Sequence, residues 1–284
     1  MTTWASMSIS KRSRTSPESS KRNHKIPSAL ADETAQKMNF LKTLGEYVML
    51  MGKVFSRPEK ARIYYRRTMF EMEALGFNSI VITAIISIFI GAVITIQMAI
   101  NLESPFIPPM MIGYTTRETM VLEFASTVTA LILAGKVGSS IASEIGTMRI
   151  TEQIDALEIM GVNSASYLIL PKVVAAMVFF PLLAVLSILV GVVGGYLMCV
   201  FGGVCSPEDY LTGLYFDFRP YSITYTLLKM VVFAFIITSV SAFYGYNAKG
   251  NSLEVGRAST KAVVISCIVI LLMDLVMTQL MLLR

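Results

Sequence analysis

The stretch PKVVAAMVFFPLLAVLSILVGVVGGYLMCV, residues 171–200, decides the fold: it is apolar almost throughout. A helix needs about 20 apolar residues to cross about 30 Å of hydrocarbon at 1.5 Å per residue, and this run is longer than that. Apolar runs of spanning length recur on both sides of it, near 80–100, 119–137, 223–243 and 260–282. The chain is therefore expected to be an all-α integral membrane protein with about five transmembrane helices. Composition agrees, with 54% hydrophobic and 15% charged residues and a mean hydropathy of +0.63. An ordinary soluble domain carries about 25% charge to cover its surface, so the excess apolar area must face lipid and a soluble enzyme is excluded. The runs follow one another from Ile80 to the end of the 284 residues without a soluble-looking interval, which predicts one membrane domain.

Charge sets the expected orientation. Of 24 Lys and Arg, fourteen lie between Lys11 and Arg67, ahead of the first long apolar run. That block reads as a cytoplasmic, positive-inside signal; it lacks the interleaved aromatics or glycines of a nucleic-acid tail, so no nucleic acid is expected as a partner. The N-terminus is then cytoplasmic and the C-terminus periplasmic, with 138–171 and 244–259 inside and 101–118 and 201–222 outside. Arg149, Lys249 and Arg257 inside against Arg117 and Arg219 outside add little to the rule. Residues 1–38 have no apolar core of a signal peptide and read as a disordered basic extension. Residues 39–57 place Leu41, Leu44, Tyr47, Val48, Met51, Val54 and Phe55 at helical spacing, with Lys42, Glu46 and Lys53 around them, up to a stop near Pro58. Between Ala61 and Leu75, Arg62, Arg66 and Arg67 alternate with Ile63, Tyr64, Met69, Phe70 and Met72, as in a helix at headgroup level. Residues 39–76 are thus expected to form interfacial helices, with a soluble hairpin as the alternative.

Several chemistries lack their motifs. No GxxxxGK[ST], GxSxG, HExxH or CxxC occurs, so the chain has no means of hydrolysing ATP or forming an acyl intermediate, is not expected to be an enzyme, and must draw energy from an ion gradient or another subunit. Neither the spacing of Cys199, Cys205 and Cys267 nor the lone His24 makes a metal-ligand pattern, and no cofactor is expected. Cys199 and Cys205, near one membrane face, read as small apolar filler, with pairing in an oxidising compartment as the alternative. Gly191 and Gly195 form a GxxxG that lets another helix approach the third span closely, here within the monomer.

The hydrophilic stretch between spans two and three carries more information. Glu144, Arg149, Glu152, Gln153, Asp155 and Glu158 alternate with Ile145, Met148, Ile150, Ile154, Leu157, Ile159 and Met160, and Gly161 supplies a stop. A short amphipathic helix of this kind suits docking in a partner's groove or lying on the membrane. Residues Ala134–Gly161, AGKVGSSIASEIGTMRITEQIDALEIMG, closely resemble the signature of MlaE-like (YrbE-like) permeases of Mce-type ABC transporters. The resemblance extends to Phe89, Ile90, Gly91 and Gln97; to Pro171, Pro181, Gly191, Gly194 and Gly195; and to Lys229, Phe233 and Ala234. It continues through Gly245, Tyr246, Asn247 and Ala248, then Arg257, Ala258, Thr260, Val263, Val264, Ser266, Asp274 and Thr278. It covers residues 39–284, the expected permease domain. One departure stands at the start of span two: where the family has R-E-L-G-P, this chain has Leu122, Glu123, Phe124, Ala125 and Ser126, so no role of that arginine carries over.

The resemblance implies a homodimeric permease of the inner membrane of a double-membrane bacterium. A dimer of cytoplasmic ABC ATPase subunits would lie below it and a periplasmic Mce-domain lipid-binding protein above, moving phospholipid or a related lipid between membranes. It implies a coupling helix from about Thr147 to Met160, with Glu144, Arg149, Glu152 and Asp155 near the ATPase. It also implies a lipid pathway at the outer half of span one, around Ile94, Gln97 and Leu102, facing Glu123. Counting at 1.5 Å per residue places Glu123, Lys229 and Asp274 in the same outer half of the membrane. A lone charge at that depth costs at least about 2.5–3.5 kcal/mol, so Lys229 is expected to pair with Asp274, leaving Glu123 for the pathway; snorkelling of Lys229 to the headgroups is the alternative. Two other classes compete: an ion-coupled secondary transporter using these charges, against which five spans without an inverted repeat argue, and a non-transporting membrane scaffold.

Overall fold

In lipid every backbone N–H and C=O must be paired within the segment, and the long apolar runs satisfy that as helices. A computed structural model describes residues 28–56, 61–102, 104 and 106–282. Its elements are α1 (Ser28–Phe55), α2 (Ala61–Asn101), α3 (Met111–Ile150), α4 (Gln153–Ile159), α5 (Ser164–Gly202), α6 (Pro207–Tyr215), α7 (Pro220–Tyr246) and α8 (Ser252–Leu282). Among the described residues there is no strand. Five stretches are long and apolar enough to cross a membrane: Ser79–Asn101, Met111–Ile150, Ser164–Gly202, Pro220–Tyr246 and Ser252–Met281. Each overlaps one of the five runs read from sequence. The chain divides into a unit up to Gly45, whose described residues 28–45 are helical, and a second from Glu46 onward, which contains the five spans and the charged clusters.

The core of the second unit lies where α3, α5 and α7 meet, with Leu133, Ile141, Ile145, Ile169, Phe180, Phe233 and Ile237 fully buried. Helix α7 is the most enclosed span and α8 the least. Helix α8 buries one narrow stripe, Val255, Ser259, Ala262, Ser266 and Ile270, and exposes Val264, Ile268, Leu272, Leu275 and Leu280. Steps of three and four residues give that stripe, and the opposite face is left for lipid or another chain. Helix α2 packs along α5 through Thr83, Ser87, Gly91, Ile94 and Thr95, all buried. A methyl group on Gly91 would overlap the Gly191 carbonyl, and one on Gly194 the Ile88 carbonyl, so these positions hold the backbones in direct contact. Ser87 and Ser187 share a 2.8 Å hydrogen bond across the seam.

Proline sits inside α5 at two positions. Pro171 has no N–H to offer the carbonyl four residues back, and that carbonyl, of Tyr167, instead accepts a 3.0 Å hydrogen bond from Arg67 Nη1. The Arg67 guanidinium also stacks over the Tyr167 ring at 3.8 Å. Gly203, at φ +62°, ends α5 in the left-handed conformation. The following turn holds a disulfide between Cys199 and Cys205, with Cα atoms 5.0 Å apart; the two cysteines are thus a cross-link, not filler. Beyond it, α6 packs on the start of α3, where a Cβ on Gly113 would strike the Tyr210 backbone. Tyr210 is enclosed, and burial pushes its hydroxyl up to about 12. Arg117 ties the same face together, donating to the carbonyls of Leu214 (2.6 Å) and Phe216 (3.0 Å).

Several sequence-based boundaries change. The expected disordered extension, 1–38, falls outside the described residues as far as 27, and residues 28–38 belong to helix α1. The headgroup-level segment 61–75 does not end before span one but runs into it as the single 41-residue α2, because no proline separates them and Gly76 is covered by the Phe179 ring. On α1 the buried side is Leu50, Met51 and Val54, while Val48 and Phe55 face outward. Span two does not stop near residue 137; its helix continues to Ile150. The expected single helix over 147–160 is broken at Glu152, whose φ of 60° is left-handed.

Candidate functional site

Lys229 lies nine residues past Pro220 in α7 with no accessible surface. Its ammonium donates to Glu123 Oε2 at 2.8 Å, is ion-paired with Asp274, and reaches the Leu122 carbonyl at 3.4 Å. Hydroxyls add further donors to both carboxylates. Thr278 donates to Glu123 Oε1 at 3.2 Å and Thr127 to Asp274 Oδ1 at 3.1 Å, while Tyr225 and Thr278 share a hydrogen bond at 3.0 Å. Three spans thus meet on one cation, and charge-assisted bonds offset the cost of holding it away from water. The expected Lys229–Asp274 contact is present, but Glu123 is not left free: it is bound to the same ammonium. Glu123 belongs to a π-helical stretch, Met120–Val128. The wider turn of a π segment changes where side chains point relative to an α-helix, which a count of heights cannot foresee.

The residues expected along a lipid pathway do not converge. Ile94 is on the buried stripe of α2 against α5, Leu102 is half-buried beyond the helix end, and Gln97 is exposed. Gln97 lies in an open groove of about 300 Å³ with Val93, Ile96, Ile100 and Asn101, which neither Ile94, Leu102 nor Glu123 lines. Glu123 keeps 38% of its side-chain surface accessible.

At the opposite end, α3 and α4 form a folded elbow. Arg149 Nη1 meets Asp155 Oδ1 at 2.6 Å and its guanidinium lies 5.7 Å from the Tyr246 ring. Glu158 accepts from Ser164 at 2.8 Å and from Tyr246 at 2.9 Å. Those two bonds, Ser164 first, hold the Glu158 carboxyl below its ordinary range. Asn163 donates to the Lys53 and Ser56 carbonyls at 2.9 and 2.8 Å and caps α5 through Ser166, so the C-terminal end of α1 is held here too. Ile154 anchors α4 in the core, while Ile159 and Met160 just beyond are 87% and 68% exposed. Glu152 points to solvent at the bend. Glu144 is two turns back and contacts Lys172 rather than standing free (2.9 Å).

Sequence reading passed over Lys172 and Glu71. Lys172 is 3% exposed and holds both carboxylates, Glu71 at 2.7 Å and Glu144 at 2.9 Å. The signal was available, since Lys172 is the sole charge in the most apolar run of the chain. Among the described residues no group of three or more His, Cys, Asp or Glu is placed to hold a metal ion.

Residues 68–280 match the family described as Permease MlaE. A probable ABC transporter permease protein of Rickettsia bellii is 36% identical over 218 residues, 77% of this chain and 84% of the relative. The intermembrane phospholipid transport system permease protein MlaE of Haemophilus influenzae is 31% identical over 248 residues, 87% of this chain and 94% of the relative. The chloroplastic protein TRIGALACTOSYLDIACYLGLYCEROL 1 of Arabidopsis thaliana is 30% identical over 233 residues, 81% of this chain and 66% of the relative.

Proposed function

Since this chain belongs to the MlaE permease family, as a multi-pass transporter subunit rather than a catalytic enzyme, we propose that its cargo is phospholipid, moved between membranes on ATP hydrolysed elsewhere. The observation that carries this reading is the extent of the match: residues 68–280 take in all five spans, the buried Lys229 cluster and the α3–α4 elbow. The phospholipid transport relative from Haemophilus is aligned over nearly its whole length. A chain without a nucleotide-binding motif needs a separate ATPase. The exposed Ile159 and Met160 at the end of α4, on an elbow braced by Arg149 and Asp155, suit an apolar groove on such a subunit.

In this reading residues 39–284 form the permease domain, and two copies sit in the inner membrane with the α4 face cytoplasmic and the disulfide face periplasmic. A dimer of ABC ATPases binds below through Glu144, Arg149, Glu152 and Asp155, and a periplasmic Mce-domain protein receives or delivers lipid above. Gln97, in its open groove, is the polar group offered to a headgroup. Co-purification with the ATPase, reconstitution in liposomes and transfer of labelled phospholipid to acceptor protein test this. ATP-dependent transfer and lipid-stimulated hydrolysis are expected. Lipid movement driven by a proton gradient without ATP would instead establish a secondary transporter.

A further inference from the structure

Lys172 is a cation shared by three helices at the α4 end of the molecule. Its Nζ lies 2.7 and 2.8 Å from the two oxygens of Glu71 on α2, and 2.9 and 3.0 Å from those of Glu144 on α3, while Lys172 itself is in the first third of α5. The two carboxylates are unequal. Glu71 is 16% exposed and Glu144 50%, so the first is held in the protein and the second stands at its edge. One cation between two carboxylates leaves a formal excess of one negative charge. If Glu144 moves away, Lys172 remains neutralised by Glu71; if Lys172 is removed, two carboxylates face each other without a cation. The cluster is built to release Glu144 and keep the Lys172–Glu71 pair.

Its location gives that asymmetry a use. Glu144 is six residues before the end of α3, about 9 Å along the axis, and α4 follows after the Glu152 bend. A push on α4 therefore reaches Glu144 through two turns of continuous helix. Glu71 continues without interruption into span one, and Lys172 into span three. On the reading of an ATP-driven permease given above, we propose that Lys172 is the positioning residue through which displacement of α4 by the ATPase is passed to spans one and three. Rearrangement at the α4 face shifts Glu144 relative to Lys172, and the Lys172–Glu71 pair makes α2 and α5 respond together.

The test is the number of lipids transferred per ATP hydrolysed by the reconstituted full complex, wild type against Lys172→Met, Lys172→Arg and Glu71→Gln. A plain structural staple would lower transport and hydrolysis together. A transmitting residue lowers the ratio while hydrolysis and ATPase binding persist, by roughly 2- to 30-fold, the range that coupling residues carry. Lys172→Arg is expected to keep the ratio. Glu71→Gln is the second variant, because Lys172 keeps Glu144 as partner, the fold is retained, and Glu71 has little surface to offer the ATPase directly. A wild-type ratio in Glu71→Gln, or in an assembled Lys172→Met complex, would overturn the proposal. Wild-type protein that transfers no lipid would instead refute the phospholipid reading.

Discussion

Lys229 and its two carboxylates are not interchangeable, because one side chain neutralises both others. Replacing it with Met leaves Glu123 and Asp274 together without a cation, and breaking a buried ion pair in this way costs about 3–5 kcal/mol. Glu123→Gln leaves Lys229 matched one-to-one with Asp274 and is expected to cost clearly less, as Glu123 is also the more accessible of the two acids, 38% against 17%. Unfolding midpoints of the purified variants in detergent check the order; equal losses for Lys229→Met and Glu123→Gln would rule out the shared cation. At this scale the sequence was half legible. Counting residues gives the relative height of a charge along its span, and the three charges expected at similar height do meet in the structure. Height does not give direction around a helix, and the π-helical winding at Met120–Val128 brings Glu123 onto an ammonium already claimed by Asp274.

Helices α2 and α5 approach until backbone touches backbone, and the glycines there differ in kind from those on open faces. Gly91→Ala drives a methyl group into the Gly191 carbonyl and is expected to destabilise by about 1–3 kcal/mol, the usual cost of overpacking a filled site. Gly256→Ala in α8, with nothing within 4 Å of the added carbon, is expected to be neutral or to stabilise by about 0.5–1 kcal/mol through helix propensity. Thermal unfolding of both variants under one set of conditions gives the comparison, and a loss at Gly256 as large as that at Gly91 would contradict the packing argument. The GxxxG spacing pointed to close approach on the third span, but not to which helix would meet it. The same limit explains the boundaries. Apolar periodicity marks where a helix is buried in lipid; it does not mark where the helix stops, so α2 and α3 both run on past their hydrophobic segments through polar residues that remain good helix formers.

Orientation concerns the whole molecule, and the two ends of the bundle offer well-exposed positions to probe it. Met160 beyond α4 and Phe106 between α2 and α3 are 68% and 94% exposed. Single cysteines there, in a background with the three native cysteines replaced by serine, are expected to react differently with a membrane-impermeant maleimide on intact spheroplasts. Phe106→Cys should label at once and Met160→Cys only after permeabilisation; the reverse pattern would invert the proposed topology. What the sequence alone determined is the solvent: long uncharged runs cannot be kept in water, and in lipid a chain must close its own hydrogen bonds, so five helical spans follow from composition and length. The signature Ala134–Gly161 likewise carried the family, because it is contiguous and needs no contact partner to be recognised. Only the tertiary structure decided which charges share a partner. Lys172 with Glu71 and Glu144, and Lys229 with Glu123 and Asp274, join residues separated by 28 to 106 positions. Such pairings depend on the azimuth at which each helix faces its neighbours, and that is fixed by packing across the whole bundle, not by any local run of residues.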